Sequence, residues 1–348
     1  MMQERDSALA GYRVLDLSDL KGAYCTKMLA DLGADVIKIE PPEGDPTRNL
    51  PPFVGDVPHP ERGFYWLYRQ ANKRGLTLDL QSTEGVMLFK RLVESADVLV
   101  ESAVPGYMAS LGLDYETLSR INPGLIMCSI TNFGQDGPYA GFTSSPLVSF
   151  AMSGALFFCG LYEKPPVIAP GILAYDAAAC YAGVGIMLAL YHKGLSGEGQ
   201  YIDISAQDAG LAALYPWSIP SYSYGSMVPG LPPVAPRDGS GIFPIYPCKD
   251  GFVRIVSISP RHWDAMLEML ERPEVLLLPE WQDFAYRNAN RDALYALVCE
   301  VTQNYTKADL FERGQRLGLP ITPIYDPEEF INDPHTQARG FLIELEHP

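Results

Sequence analysis

Short apolar runs and longer amphipathic stretches alternate through the first two hundred residues. Residues 12–17, YRVLDL, read as a buried strand, SDLKGAY as a polar turn, and CTKMLADLG as a helix closed by Gly33. ADVIKIE then supplies a second strand, so the opening is a strand–helix–strand unit of a parallel sheet. The rhythm continues with the strand LTLDL, a helix in STEGVMLFKRLVESA opened by Ser82, and the strand DVLVES. VPGYMASLGLDYETLSRINPG reads as broken helix, LIMCSIT and YIDIS as strands, and QDAGLAALY as the segment that follows the last of these. Such alternation predicts an α/β fold built on a doubly wound parallel sheet. Ligands of these sheets collect outside the carboxyl ends of the strands, which makes the loops after Leu17 and Glu40 candidate contact loops. Residues 41–63, rich in Pro and Gly, interrupt the pattern as one long loop.

The longest apolar stretch, residues 177–191, is rich in small side chains and reads as a buried helix of about four turns, too short to cross a bilayer. Asp176 stands immediately before it. Between Gly137 and Tyr191 the only other charged residues are Glu163 and Lys164. At that place a carboxylate can cap the helix, accepting backbone N–H bonds at the positive end of its dipole. It can equally serve as a nucleophile in a site poor in other charge, and the two roles are compatible.

Beyond it, residues 216–240 are dominated by Pro, Gly, Ser and Tyr and read as a linker. Residues 241–325 change texture: a hairpin turning at Lys249-Asp250-Gly251, then helices, then the strand LPITPIY. The organisation expected is a large domain over 1–215, the linker, a small α+β domain over 241–325, and a segment 326–348 returning toward the large domain. That segment reads as helix leading into a further strand. A chain of 348 residues exceeds what one core usually serves.

Composition narrows the function. A net charge of −16 argues against nucleic acid and anionic membranes as partners, while leaving room for an anionic small ligand in a local basic pocket. The six cysteines are spread out with no CxxC, and the five histidines lack ligand spacing, so neither a disulfide framework nor a metal site is expected. The N-terminal residues carry no apolar signal core, and the expected location is the cytoplasm. No GxGxxG follows the first strand, which counts against NAD and FAD, and no GxSxG marks a serine hydrolase. Lys73 and Arg74, beside each other before a strand, either meet phosphates or sit in a solvated turn; Lys21 and Lys38 at the first two strand ends pose the same choice. Asp45 and Arg48 stand close enough to pair across their loop.

Several stretches resemble class III CoA-transferases, the group that includes formyl-CoA and carnitine CoA-transferases and α-methylacyl-CoA racemase. They are VLDLSDLKGAY, LADLGADVIKIEPPEGDPTR, NKRGLTLDL, ADVLVES with VPG, LGLDYETLSRINPGLI, FGQDGPYAG, SGEGQYIDIS and GLPITPIYDPEEFINDPHTQARGF, in family order along nearly the whole chain. The resemblance implies a Rossmann-like large domain, a smaller domain, and two chains interlocked as rings. It also implies a CoA-transferase that moves CoA between carboxylic acids through an aspartyl mixed anhydride and an aspartyl-CoA thioester. CoA or acyl-CoA is then a substrate, and no tightly bound cofactor is implied. Asp176 matches the catalytic aspartate by context, although counting back from Ala189-Leu190 reaches Tyr175, one residue earlier. By the same resemblance Leu20, Gly22, Leu78, Gln81, Ser102, Ala103 and Tyr107 are the CoA-binding candidates, with Gln81 where the family often has lysine and Ser102 where it often has asparagine; Lys21, Lys38, Lys73 and Arg74 are left as substitutes for phosphate contacts the family makes elsewhere. GFTSSP lacks the histidine used by the racemase branch, so racemisation is disfavoured. The chain also stops soon after GFLIELEHP, which fits a truncated or a shorter variant. The implied partners are an acyl-CoA donor, a carboxylate acceptor and a second identical chain. A paralogous subunit is the alternative, with this chain as a non-catalytic CoA-binding half. A CoA-dependent lyase or hydrolase on the same scaffold is the third reading.

Overall fold

In a computed structural model the described residues are 7–160, 164–214 and 244–344. The linker expected at 216–240 lies outside them, as do the last four residues of the 326–348 segment. The chain divides into two compact units, Met1–Cys159 with Pro166–Pro216 and Gly160–Pro165 with Trp217–Pro348.

The first unit holds six parallel strands: β1 (Arg13–Leu17), β2 (Asp35–Glu40), β3 (Arg74–Thr77), β4 (Val98–Glu101), β5 (Ile126–Thr131) and β6 (Tyr201–Ser205). Their order is β3-β2-β1-β4-β5-β6, with Leu15 opposite both Ile37 and Leu99. This is the doubly wound arrangement expected, and its order reverses between β1 and β4. Successive strand residues face opposite sides of the sheet, so β1, β2, β4 and β5 each feed two cores, whereas β3 is exposed along its length. Val14, Val98, Val100, Ile126 and Cys128 pack on one side against α1 (Ala23–Asp31) and α7 (Leu173–Ser196). Leu15, Ile39, Leu99 and Met127 pack on the other against Phe89 and Val93 of α3 (Thr83–Val93) and Leu118 of α5 (Tyr115–Ile121). Four more helices complete the unit: α2 (Phe64–Arg69), α4 (Tyr107–Ser110), α6 (Pro146–Met152) and α8 (Ala206–Leu214).

Two expectations need correction. The long Pro/Gly loop is followed at once by α2, which the sequence pattern does not announce. The helix near Asp176 is longer than four turns, spanning 24 residues and beginning three residues before Asp176. Gly171, at φ +90°, turns the chain into it, and Ile172 caps it with no side-chain hydrogen bond. Asp176 is therefore a first-turn residue whose own N–H donates to Ile172 O, not the N-cap. On length and hydropathy alone this helix could cross a bilayer; half of its apolar window is buried inside the protein.

The second unit carries the antiparallel sheet β7 (Ile245–Cys248), β8 (Gly251–Ile255) and β9 (Ile321–Pro323), in the order β7-β8-β9. Cys248 pairs with Gly251, so the hairpin turns through Lys249-Asp250 as the sequence predicts. The sheet packs on Trp263, Met266, Val298 and Leu310 from the helices Pro260–Met269, Arg291–Thr302 and Lys307–Leu317, and on Leu270 at the end of the first of them. After β9 come two short helices, Pro327–Asn332 and Pro334–Ala338, and no strand follows through residue 344.

Candidate active site

The turn between β1 and α1 is built on a buried carboxylate. Asp16, fully buried, accepts from the Ser18 N–H and hydroxyl and from the Thr26 hydroxyl, which bends residues 18–22 back over the strand end. Lys73 closes the arrangement. Its ammonium lies 2.9 Å from Asp16 Oδ2, 2.9 Å from Ala23 O, 2.7 Å from Thr26 Oγ1 and 2.7 Å from Gln70 Oε1. Burial alone would push Asp16 up, but the charges of Lys73 and Lys38 and the two hydroxyls outweigh it and hold Asp16 at about 2.

Three of the basic residues expected at phosphates are thus engaged within the protein. Lys73 has a side chain only 1% exposed. Lys38 is buried, 2.7 Å from Asp45 Oδ2, and donates to Ser18 O. Arg74 is exposed and makes two bonds to Asp35, at 2.8 and 2.7 Å. The pairing expected between Asp45 and Arg48 does not form: Asp45 takes Lys38, and Arg48 forks onto both oxygens of Glu40 at 2.6 and 2.8 Å. Both choices follow from burial, because Glu40 at the end of β2 and Asp45 in the loop after it are both buried and need a partner there.

The other candidates gather in two places. Leu78, Gln81, Ala103 and Tyr107 line a cleft of ≈ 350 Å³ outside the carboxyl ends of β1, β2 and β4, floored by Leu17 and Ile39. Its charged lining is wholly acidic: Glu40, Glu43, Asp79 and Glu101. Glu101 also walls a second cleft of ≈ 270 Å³ that reaches Tyr115 and Tyr201. Burial pushes the Glu101 carboxyl up, against the pull of hydrogen bonds from Ser129 and the Ala103 N–H. Leu20, Lys21, Gly22 and Ser102 cluster at the β1–α1 turn instead. Ser102 Oγ accepts from the Asp19 N–H and donates to Asp19 Oδ1, and Lys21 reaches Asp19 Oδ2 at 2.5 Å. Gly22 is required by close approach, since a Cβ there would lie 2.5 Å from Ser18 Cβ.

Asp176 faces α1 and α2. Arg69 Nη2 lies 2.7 Å from Asp176 Oδ1, close enough for an ion pair but outside hydrogen-bond geometry. Oδ1 is sealed from solvent, while the side chain as a whole is 31% exposed. Arg69 itself is buried, with Nε and Nη1 lacking an acceptor among the described residues, and its guanidinium lies 5.5 Å from the Tyr24 ring and 5.9 Å from the Tyr65 ring. Tyr24 stacks on Tyr68 at 6.1 Å. A hydrogen bond with Tyr68, burial and the nearby Asp176 charge push the Tyr24 hydroxyl up. One turn on, burial and Asp176 also push the Cys180 thiol up, which leaves it a poor nucleophile beside the carboxylate.

Tyr175, the neighbour, points elsewhere. Its hydroxyl donates to Asn132 Oδ1 at 2.8 Å, and Ser149 donates to the same oxygen at 3.2 Å. Burial and the Asp19 charge push Tyr175 up to about 12, so it stays protonated. Arg69, Tyr24 and Asn132 are absent from the sequence reading. The only sign of Arg69 is an arginine inside the aromatic run FYWLYR.

A family model described as CoA-transferase family III matches residues 9–348. Among curated proteins the chain is 36% identical over 346 residues to the succinyl-CoA:(R)-benzylsuccinate CoA-transferase subunit BbsE of Thauera aromatica, covering 95% of this chain and 82% of that one. It is 37% identical over 357 residues to the succinyl-CoA:mesaconate CoA-transferase of Haloarcula marismortui, covering 98% and 86%. Among solved structures, a CAIB/BAIF family protein from Brucella suis superposes with a TM-score of 0.81 at 33% identity, covering 96% of this chain and 88% of that one.

Proposed function

Because this chain belongs to CoA-transferase family III, we propose that it moves coenzyme A from succinyl-CoA to a second carboxylate, with Asp176 as the covalent nucleophile. Succinyl-CoA is chosen because it opens the names of both curated relatives described above. The single observation supporting the nucleophile is the posture of Asp176, one oxygen sealed against a buried guanidinium while the side chain as a whole keeps 31% exposure.

In this reading the carboxylate attacks the thioester carbonyl, and CoA leaves as a thiolate from a mixed anhydride. The thiolate returns to the aspartyl carbon, which releases the donor acid and leaves aspartyl-CoA. The acceptor carboxylate attacks that thioester, and the thiolate then takes the acceptor's acyl group. Each exchange trades one activated acyl group for another, so no step has to climb far. Aromatic cover from Tyr24, Tyr65 and Tyr68 limits the water that would hydrolyse the anhydride.

The acidic cleft lined by Leu78, Gln81, Ala103 and Tyr107 suits the hydroxyl and amide donors of CoA rather than its phosphates. The turn at Leu20, Lys21, Gly22 and Ser102 carries CoA from that cleft toward Tyr24 and Asp176. The working form in this reading is an interlocked pair of chains in the cytoplasm.

One observation favours a second reading, a non-catalytic CoA-binding subunit. Neighbouring helix positions point about 100° apart, and Tyr175, not Asp176, reaches Asn132 at the carboxyl end of β5. The relative BbsE is itself named as a subunit.

Intact-mass measurement after incubation with succinyl-CoA separates the two. The expected result is a hydroxylamine-sensitive CoA adduct that Asp176→Asn abolishes. An adduct that survives Asp176→Asn moves the chemistry to another residue, and no adduct favours the subunit reading.

A further inference from the structure

We infer that Arg69 decides which oxygen of Asp176 reacts, and that Oδ1 carries the negative charge whenever the aspartyl carbonyl is attacked. This rests on Asp176 being the nucleophile. Oδ1 is sealed against Arg69 Nη2 at 2.7 Å, so an incoming acyl carbon can meet only Oδ2. Arg69 is 6% exposed, and among the described residues its Nε and Nη1 have no acceptor, so no second carboxylate or carbonyl there draws the guanidinium away from Asp176.

The bond changes then sort the two oxygens. Oδ2 attacks the donor's carbonyl carbon, the C–S bond breaks, and the thiolate departs with the electron pair. The thiolate attacks Cγ of Asp176, and charge moves onto Oδ1. Collapse breaks the Cγ–Oδ2 bond, and the donor acid leaves as a carboxylate carrying Oδ2. An oxygen of the acceptor carboxylate then attacks Cγ, charge again moves onto Oδ1, and the C–S bond breaks. Finally the thiolate attacks the acceptor's carbonyl carbon, and the bridging oxygen stays on Asp176 as the new Oδ2. No proton or electron is gained or lost. Oδ2 is replaced at every turnover, whereas Oδ1 is retained and twice becomes an oxyanion beside the same guanidinium.

The test is an identity exchange between succinyl-CoA and succinate labelled with heavy oxygen in both carboxyl groups, followed by mass spectrometry of the peptide bearing Asp176. In the wild type one heavy oxygen enters within the first turnovers, and the second lags because it requires the carboxylate to flip. In Arg69→Met the lag disappears and kcat falls about a hundred-fold, the usual scale for losing one oxyanion donor; Arg69→Lys restores part of both. Thermal melting of each variant shows whether it is folded, and if Arg69→Met is not, Arg69→Lys carries the comparison with a shortened lag. Two heavy oxygens entering the wild type together would overturn the inference while leaving Asp176 as nucleophile. A lag that persists in the folded variants would take the role away from Arg69. No heavy oxygen at Asp176 would remove the nucleophile, and the inference with it.

Discussion

Replacing Lys73 with methionine separates a buried clamp from a phosphate contact. In the structure Lys73 has four acceptors on three pieces of chain: Asp16 of β1, Ala23 and Thr26 of α1, and Gln70 just before β3. An ammonium has three hydrogens, so all are used inside the protein. Methionine fills a similar volume and leaves Asp16 facing Lys38, Ser18 and Thr26. Breaking a buried pair from one side costs about 3–5 kcal/mol, and the surviving partners place this case near the lower end. For a unit of this size about 3 kcal/mol lowers Tm by about 6–12 °C. Urea and thermal unfolding of the full chain, followed by circular dichroism, measure it. The double variant Asp16→Asn with Lys73→Met should be more stable than the two single losses added together, by about 2 kcal/mol. A Lys73→Met protein with wild-type stability and a raised KM for CoA would refute the clamp and restore the phosphate role.

Two further outcomes follow from the same region. Gly22→Ala drives a methyl group to 2.5 Å from Ser18 Cβ and 3.2 Å from Ile130 Cδ1, so it should lower stability by about 1–3 kcal/mol, read by urea unfolding. Glu101 has a raised folded pKa, chiefly from burial. Its contribution to stability is therefore fully present below the unfolded carboxyl value and is lost as pH rises through the folded one. Glu101→Gln should flatten that fall in unfolding curves collected from pH 4 to pH 8, and an unchanged slope would refute the assignment.

The parallel sheet was legible because its signals are local: short apolar strands, polar turns and Gly33 after the first helix each read correctly within a few residues. Lys73 was not, since nothing near it in sequence announces a partner on β1. It sits among polar neighbours, and only the folded chain brings Asp16 to it. Arg69 was hidden for a related reason: six residues of helix after a Pro-rich loop give too little periodicity to register. Asp176 is placed one turn wrong by the pattern because the helix starts at Leu173 with Ile172, which has no polar side chain, as its cap, so the first acidic residue borrows the signal. The cleft residues Leu78, Gln81, Ala103 and Tyr107 could be picked out by likeness to a family, yet the acidity of that cleft comes from three separate stretches, at and after the end of β2, after β3 and at the end of β4.

Arg74 has a consequence beyond its bonds to Asp35. Among the described residues β3 is the rim of the sheet, paired on one side only, and such a rim invites a foreign strand to add on. Here it is four residues long, carries a glycine, and begins with a charge tied to its neighbour. A short, charged border of this kind is a poor template for edge-to-edge growth.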